Sequence, residues 1–247
     1  MPDTTSTASP RIKVLLLTKS RGFRHDCIPA LISALQSLPF AIYATEDSEH
    51  LLNCSRYDVV VVGHNTGEYL TSSEVHSLRT YVENGGGVVG VHAATSGMAT
   101  DEHYSGIFGE VFNGHPEPQW GRITIEAQNH YIMNSGYIPV KDSAPELAPP
   151  CPHALTGESQ VSFPWYDELY TFKSHPRNKE TRTILLSVNK FSYREDVLND
   201  YPLAWCNNLG RGRSFYTALG HFDEAYRDKW FMETLHRGII WAAQQDT

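Results

Sequence analysis

An α/β domain built on a mostly parallel central sheet is what this sequence predicts, and three observations carry the prediction. Short, almost unbroken apolar runs recur at Ile12-Lys13-Val14-Leu15-Leu16-Leu17, at Tyr57-Asp58-Val59-Val60-Val61-Val62-Gly63 and at Val88-Val89-Gly90-Val91; strands buried on both faces read this way. Stretches of helical spacing separate them, and strand-helix-strand repetition calls for right-handed parallel crossovers. The 247 residues suffice for one substantial core, so a single domain over residues 11–247 is expected.

In chain order, Met1 to Pro10 is Ser/Thr-rich and is expected to be a disordered tail. The first run, residues 12–17, makes a central strand. Residues 28–38 carry Ile28, Leu31, Ile32 and Leu35 on one helical face, with Asp26 as a plausible N-cap. Phe40-Ala41-Ile42-Tyr43-Ala44 is a second strand; a short helical linker through Leu51 and Leu52 leads to the third at residues 57–63. Thr71 caps a helix with Val75, Leu78, Tyr81 and Val82, which stops at Asn84-Gly85-Gly86-Gly87 before the fourth strand at residues 88–91. The second half is less regular. Arg122-Ile123-Thr124-Ile125-Glu126 alternates like a half-exposed strand, and residues 182–188, 201–206 and 213–218 add three more. Residues 228–243 present Trp230, Phe231, Leu235, Ile239, Ile240 and Trp241 as the stripe of a closing helix. The Pro-, Ser- and Gly-rich residues 129–164 read as a long surface excursion.

Composition narrows the function. With 20 basic and 28 acidic residues the formal charge is −8 and no block of like charge occurs, which argues against nucleic acid or an anionic membrane as partner. The 4 cysteines lie far apart with no Cys-x-x-Cys pair, so neither a zinc knuckle nor a disulfide framework is expected. No signal peptide or spanning run is apparent, and a cytoplasmic protein is expected. A small-molecule substrate remains, with homo-oligomerisation left open.

The chemistry-bearing signal is a set of histidines at element ends: Arg24-His25-Asp26, Val91-His92-Ala93, Gly114-His115-Pro116 and Gly220-His221-Phe222. A parallel sheet gathers such loop residues at one edge, and imidazole acts as base, acid or metal ligand near neutral pH. His92 is a candidate base or ligand, or else a histidine bonded under a tight turn. His25, His92, His115 and His221 are candidate ligands for one divalent metal, Zn, Mn, Ni or Fe; no nucleotide cofactor is expected. Glu168, flanked by Trp165, Tyr166 and Tyr170, reads as a general base with a raised pKa, or as an exposed strand-edge carboxylate. Arg24 is a candidate for orienting an oxyanion or hydroxyl, and is as easily an ion-pair residue. Tyr104, Trp120, Trp165 and Tyr170 are candidate sugar-stacking rings, with core packing as the alternative for each, and His64 is a candidate on the rim.

Taken together, Gly22-Phe23-Arg24-His25-Asp26, Gly85-Gly86-Gly87-Val88-Val89-Gly90-Val91-His92-Ala93-Ala94, Gly114-His115-Pro116, Asp167-Glu168-Leu169-Tyr170-Thr171-Phe172, Pro202-Leu203-Ala204-Trp205-Cys206 and Tyr216-Thr217-Ala218-Leu219-Gly220-His221 resemble the ThuA-like, trehalose-utilization family within the class I glutamine amidotransferase-like superfamily. The departure is an apparent insertion around residues 129–150. The resemblance implies a flavodoxin-like three-layer sandwich, with His92 where true glutamine amidotransferases carry the nucleophilic cysteine, so glutaminase activity is not expected. It further implies action on a 3-keto-glycoside such as oxidised trehalose: Glu168 or His92 removes the proton beside the ketone, His25, His115 and His221 bind a metal or stabilise the oxyanion, and a glycosidic bond is cleaved or the sugar isomerised. Two rivals stand beside it, a non-catalytic sugar-binding or regulatory module and a lyase, isomerase or hydrolase for another small oxygenated metabolite.

Overall fold

The computed structural model describes residues 11–139, 161–188 and 200–246. The expected tail and residues 140–150 of the expected insertion lie outside the described residues. The chain runs β1 (Lys13–Leu17), α1 (Ile28–Gln36), β2 (Ala41–Thr45), a 3₁₀ segment (Ser48–Arg56), β3 (Val59–Gly63), α2 (Ser72–Glu83), β4 (Gly87–Val91), a 3₁₀ turn (His92–Thr95), α3 (Glu102–Phe108), β5 (Phe112–Gly114), β6 (Gln119–Ile125), β7 (Ser162–Asp167), β8 (Thr171–Phe172), a 3₁₀ turn (Pro176–Asn178), β9 (Arg182–Val188), β10 (Tyr201–Leu209), β11 (Gly212–Thr217), a 3₁₀ turn (Asp223–Arg227) and α4 (Lys229–Ala242).

Among the described residues, nine strands form one sheet in the order β2-β1-β3-β4-β11-β10-β9-β6-β7. The pairings from β2 through β11 are parallel and those from β11 to β7 antiparallel. A parallel core therefore carries an antiparallel wing, and the short ribbon of β5 and β8 stands apart. β3 and β4 are buried along their whole length, as their apolar runs require. Helices press on both faces of β4. A β-carbon on Gly87 would lie 2.4 Å from the Ala242 carbonyl oxygen in α4, and one on Gly90 would lie 2.7 Å from the Phe108 ring at the end of α3.

Local chemistry sets the helix ends. Thr71 and Glu74 close a reciprocal capping box on α2, and Asp228 Oδ1 accepts from the backbone N–H groups of Trp230 and Phe231 to start α4. The first helix corrects an expectation: Cys27, not Asp26, holds the N-cap position, and no side chain caps it. Pro29 instead sits in the first turn, where a missing N–H costs nothing. The excursion expected over residues 129–164 is also corrected. Residues 131–133 form turns that bury Ile132 and Met133, and its far end is β7, which tolerates Pro164 because that strand pairs on one side only among the described residues. No helix among the described residues is long and apolar enough to cross a membrane.

Candidate active site

Parallel strands deliver the histidines. His25 follows β1 by a loop, His64 and His92 directly follow β3 and β4, and His221 follows β11 after Ala218-Leu219-Gly220. All lie at the carboxyl edge of the parallel core, where open α/β sheets place their ligand sites. His64 and His92 have φ of 61° and 52°, left-handed values that turn each chain sharply off its strand; histidine is among the few non-glycine residue types enriched there. The turn at His92 is held from behind. Tyr216 donates its hydroxyl proton to the His92 carbonyl at 2.8 Å, and Tyr104 donates to the Ala94 carbonyl at 2.8 Å.

His92 is fully buried and its tautomer is fixed. Nδ1 lies 2.6 Å from the Ala218 carbonyl oxygen, which can only accept, so Nδ1 carries the proton and the Nε2 lone pair faces the site. There Nε2 meets the Tyr170 hydroxyl at 2.8 Å, His221 Nδ1 at 3.2 Å and Glu168 Oε2 at 3.3 Å. His221 Nδ1 is 3.1 Å from Glu168 Oε2, and His115 Nε2 is 3.5 Å from Glu168 Oε1. The His25 ring centre lies 5.0 Å from that of His92 and 5.3 Å from that of His221. His115 and His221 are the partly exposed members of this group and open it to solvent.

Charge follows geometry. Burial alone would raise the Glu168 pKa, but the hydrogen bond from His221, with the neighbouring imidazole of His92, overrides it and holds the carboxyl well below the usual carboxylate range. This reverses the raised pKa expected from its aromatic neighbours. Burial likewise opposes charge on His221, yet the hydrogen bond to Glu168 raises its pKa, which favours an imidazolium-carboxylate pair. His25 behaves oppositely: burial, reinforced by His92 and His221, lowers it from 6.5 to about 3, and burial puts His64 well below its ordinary value. Both stay neutral in the fold, whereas the unfolded chain protonates them below about pH 6.5. Their contribution to stability is therefore complete above that pH and is lost as pH falls towards 3. In chelator-treated protein, denaturant midpoints should fall through this window, at up to about 1.4 kcal/mol per pH unit for each imidazole. A flat profile there would show that these rings accept protons without cost.

Asp167 is the site residue that sequence reasoning missed. Its buried carboxylate accepts four hydrogen bonds, from Trp165 Nε1 at 2.9 Å, Glu168 N at 2.9 Å, Gly220 N at 2.8 Å and His221 N at 3.1 Å. It ties the end of β7 to the loop after β11, and so sets Glu168 beside His221. The available signal was the spacing of Trp165 and Asp167, two apart on one face of a strand.

The structure brings His25, His92, His115, His221 and Glu168 together and separates others. Tyr170, a candidate stacking ring, is instead buried with its hydroxyl on His92 Nε2. Arg24 points away and pairs with Glu46 at 2.5 Å on the surface. Tyr104 is a core residue, bonded to Tyr69 and Ala94, because α3, unread in the sequence, carries it inward. His64 is fully buried rather than on the rim. Its Nε2 meets the Tyr226 hydroxyl at 2.5 Å, which donates to the Gly220 carbonyl at 2.8 Å, so His64 supports the His221 loop from below. Trp165 is buried with its indole N–H on Asp167, while Trp120 faces Tyr166 beside the site.

One donor atom each from His25, His92, Glu168 and His221 lies within 4.8 Å of the others. This set includes Glu168 and not His115, a change from the ligands expected; His115 reaches only the second oxygen of Glu168. Tetrahedral ligand atoms around zinc stand about 3.3 Å apart, close to the 3.1, 3.2 and 3.3 Å separations among His221, His92 and Glu168. The fourth donor, His25, has its buried Nδ1 without a hydrogen-bond partner. The residues present thus fit a divalent cation.

A parallel core with a sharp strand-to-helix elbow after a central strand defines the class of glutamine amidotransferase-like folds, here with imidazole at the elbow. Cys27 does not restore a nucleophile: its Sγ lies 3.5 Å from His64 Nε2, but burial pushes the thiol up to about 12. Residues 13–242 match the ThuA family, described as trehalose utilisation, and the chain belongs to it. Among solved structures it is similar to a protein described as ThuA-like from Bacteroides uniformis, with 23% identity, TM-score 0.71 and coverage of 98% of this chain and 95% of that one. A second such protein, from Parabacteroides merdae, gives 21% identity, TM-score 0.71 and coverage of 95% and 90%. A protein from Thermoplasma acidophilum, described as part of a GMP synthase, shares the fold at 8% identity and TM-score 0.55, with 96% of each chain covered. A comparison with curated proteins finds no match.

Proposed function

We propose that this ThuA-family chain is an enzyme that removes the proton beside the ketone of a 3-keto-glycoside and so cleaves its glycosidic bond. The observation that carries the reading is the His92 Nε2 lone pair, fixed by the Ala218 carbonyl and set 3.2 Å from His221 and 3.3 Å from Glu168. A base with a fixed tautomer beside a stabilised imidazolium is what carbon-acid chemistry needs. A C3 ketone acidifies the C2–H. His92 Nε2 takes that proton while the electron pair moves onto the C3 oxygen, where the His221 imidazolium stabilises the enediolate. The pair then returns to form the C1–C2 double bond, the C1–O bond breaks, and the leaving oxygen takes its proton from His221. Water added at C1 restores the ring, for net hydrolysis. Glu168 favours the protonated form of His221 until the leaving oxygen takes that proton; on hydration the proton of the attacking water returns to His221 and His92 gives its proton back to C2.

In D₂O, 3-keto-trehalose should yield glucose and 3-keto-glucose with deuterium at C2, and unoxidised trehalose should be inert. Binding of the keto-sugar without turnover or exchange would instead assign a sugar-binding module; ammonia from glutamine is expected in neither case.

A second reading of the same cluster is favoured by the unpartnered His25 Nδ1. His25, His92, Glu168 and His221 would hold a divalent cation, whose chemistry is Lewis-acid polarisation of the ketone. His115, beside Glu168 and outside the four, then takes the C2 proton. This reading expects about one divalent ion per chain in untagged protein, lost in His25→Ala and His92→Ala. Protein that remains metal-free after replenishment leaves the imidazole chemistry alone.

A further inference from the structure

Beside the cluster lies an aromatic cleft. Trp120, Trp165, Tyr166, Phe222, Glu224 and Ala225 line a cavity of about 380 Å³. Trp120 and Tyr166 are cross-strand partners on β6 and β7, with ring centres 5.6 Å apart. Tyr166 lies 5.3 Å from Phe222, and Phe222 lies 4.6 Å from His221. The rings form a continuous row from the sheet edge to the imidazolium that contacts Glu168. Tyr166 is 43% exposed, although alternation along β7 and the core behind it would equally have accommodated a polar side chain there.

We infer that this cleft binds the second, non-reacting ring of a two-ring glycoside, an inference that rests on the reading of the site as a keto-glycoside centre. The electron-rich faces of aromatic rings suit the weakly positive C–H face of a pyranose. One exposed carboxylate, Glu224, supplies an acceptor for ring hydroxyls at the rim, matching an apolar pocket with few polar groups. Phe222 touches both Tyr166 and His221, so the cleft and the reacting centre share one wall. A ring over Tyr166 and Phe222 is therefore next to one reacting at His221, as adjacent rings of a disaccharide are. Binding energy from that remote ring then serves the reacting one.

The test compares kcat/KM for 3-keto-trehalose and methyl 3-keto-α-glucoside, which share the reacting ring, in wild type, Tyr166→Leu and Tyr166→Phe. Wild type is expected to prefer the two-ring substrate. Leucine, which keeps strand preference and apolar bulk, should reduce the ratio about tenfold, and phenylalanine should preserve it. Absence of a preference, or a ratio unmoved by leucine, overturns the inference. If neither compound is turned over, the keto-glycoside reading falls by itself, and saturation-transfer NMR with unoxidised trehalose decides the cleft. Transfer present in wild type, lost in Tyr166→Leu and retained in Tyr166→Phe supports ring binding; no transfer overturns it. Self-association abolished by Tyr166→Leu without any effect on sugar assigns the cleft to a second copy of the chain and also overturns it.

Discussion

Glutamine at position 168 is expected to lower kcat on 3-keto-trehalose by about 10³-fold while leaving the fold intact. Glu168→Gln keeps the side chain's shape and the backbone N–H bonded to Asp167, so the end of β7 stays in place. What it removes is the negative charge 3.1 Å from His221 Nδ1. That hydrogen bond raises the His221 pKa against burial; without it burial favours the neutral imidazole, a far weaker acid towards the leaving oxygen. Two readouts check this cause: kcat should fall far more than KM rises, and an NMR titration should find His221 shifted to lower pH. Turnover within a few-fold of wild type would remove the ion pair from the mechanism. Under the metal reading the same variant loses its anionic ligand, so metal content measured in parallel tells the two apart.

Asp167→Asn should be nearly as damaging, for a different reason. Each carboxylate oxygen accepts two N–H donors, Oδ1 from Glu168 and His221 and Oδ2 from Trp165 and Gly220. An asparagine amide offers one acceptor oxygen, so its NH₂ faces two buried N–H groups and leaves both unpaired. Unsatisfied buried donors cost about 1–3 kcal/mol each, so a loss of about 2–6 kcal/mol in unfolding free energy is expected. Activity should drop further than stability accounts for, because Glu168 and His221 lose the carboxylate that sets them side by side. Denaturant unfolding with kcat measured at a temperature where the variant is fully folded separates the two effects. Wild-type stability would show that bound water substitutes for the carboxylate.

The sequence revealed what depends on pattern. The apolar runs of β1, β3 and β4 could be read directly, as could the Thr71 capping box and the apolar stripe of α4, since each is written in local residue types. β7 escaped because Pro164 and neighbouring aromatics look like loop, and α3 because seven residues with Gly106 among them give little periodicity. In the site, strand-end placement picked out His25, His92, His115 and His221, because parallel topology alone brings such ends together. It could not show that Glu168 belongs with His25, His92 and His221 as donors while His115 stands outside them. Nor could it show that Glu168 is held ionised, since that depends on imidazoles from β4 and β11, distant in the chain. Arg24 and Tyr104 failed for the same reason: where a side chain points was decided by Glu46 and by α3.

The sheet order also governs when this protein can finish folding. β11 fills the slot between β4 and β10 at the middle of the sheet, although more than a hundred residues separate it from β4. During synthesis, β1 to β4 emerge early and leave the inner edge of β4 bare, an invitation to pairing with the wrong strand. Closing that gap means closing a very long loop, which favours slow assembly. The same event brings in Ala218, which fixes the His92 tautomer, and His221. Catalytic competence should therefore arise late in refolding, in step with the central strand and behind the bulk of the helical signal.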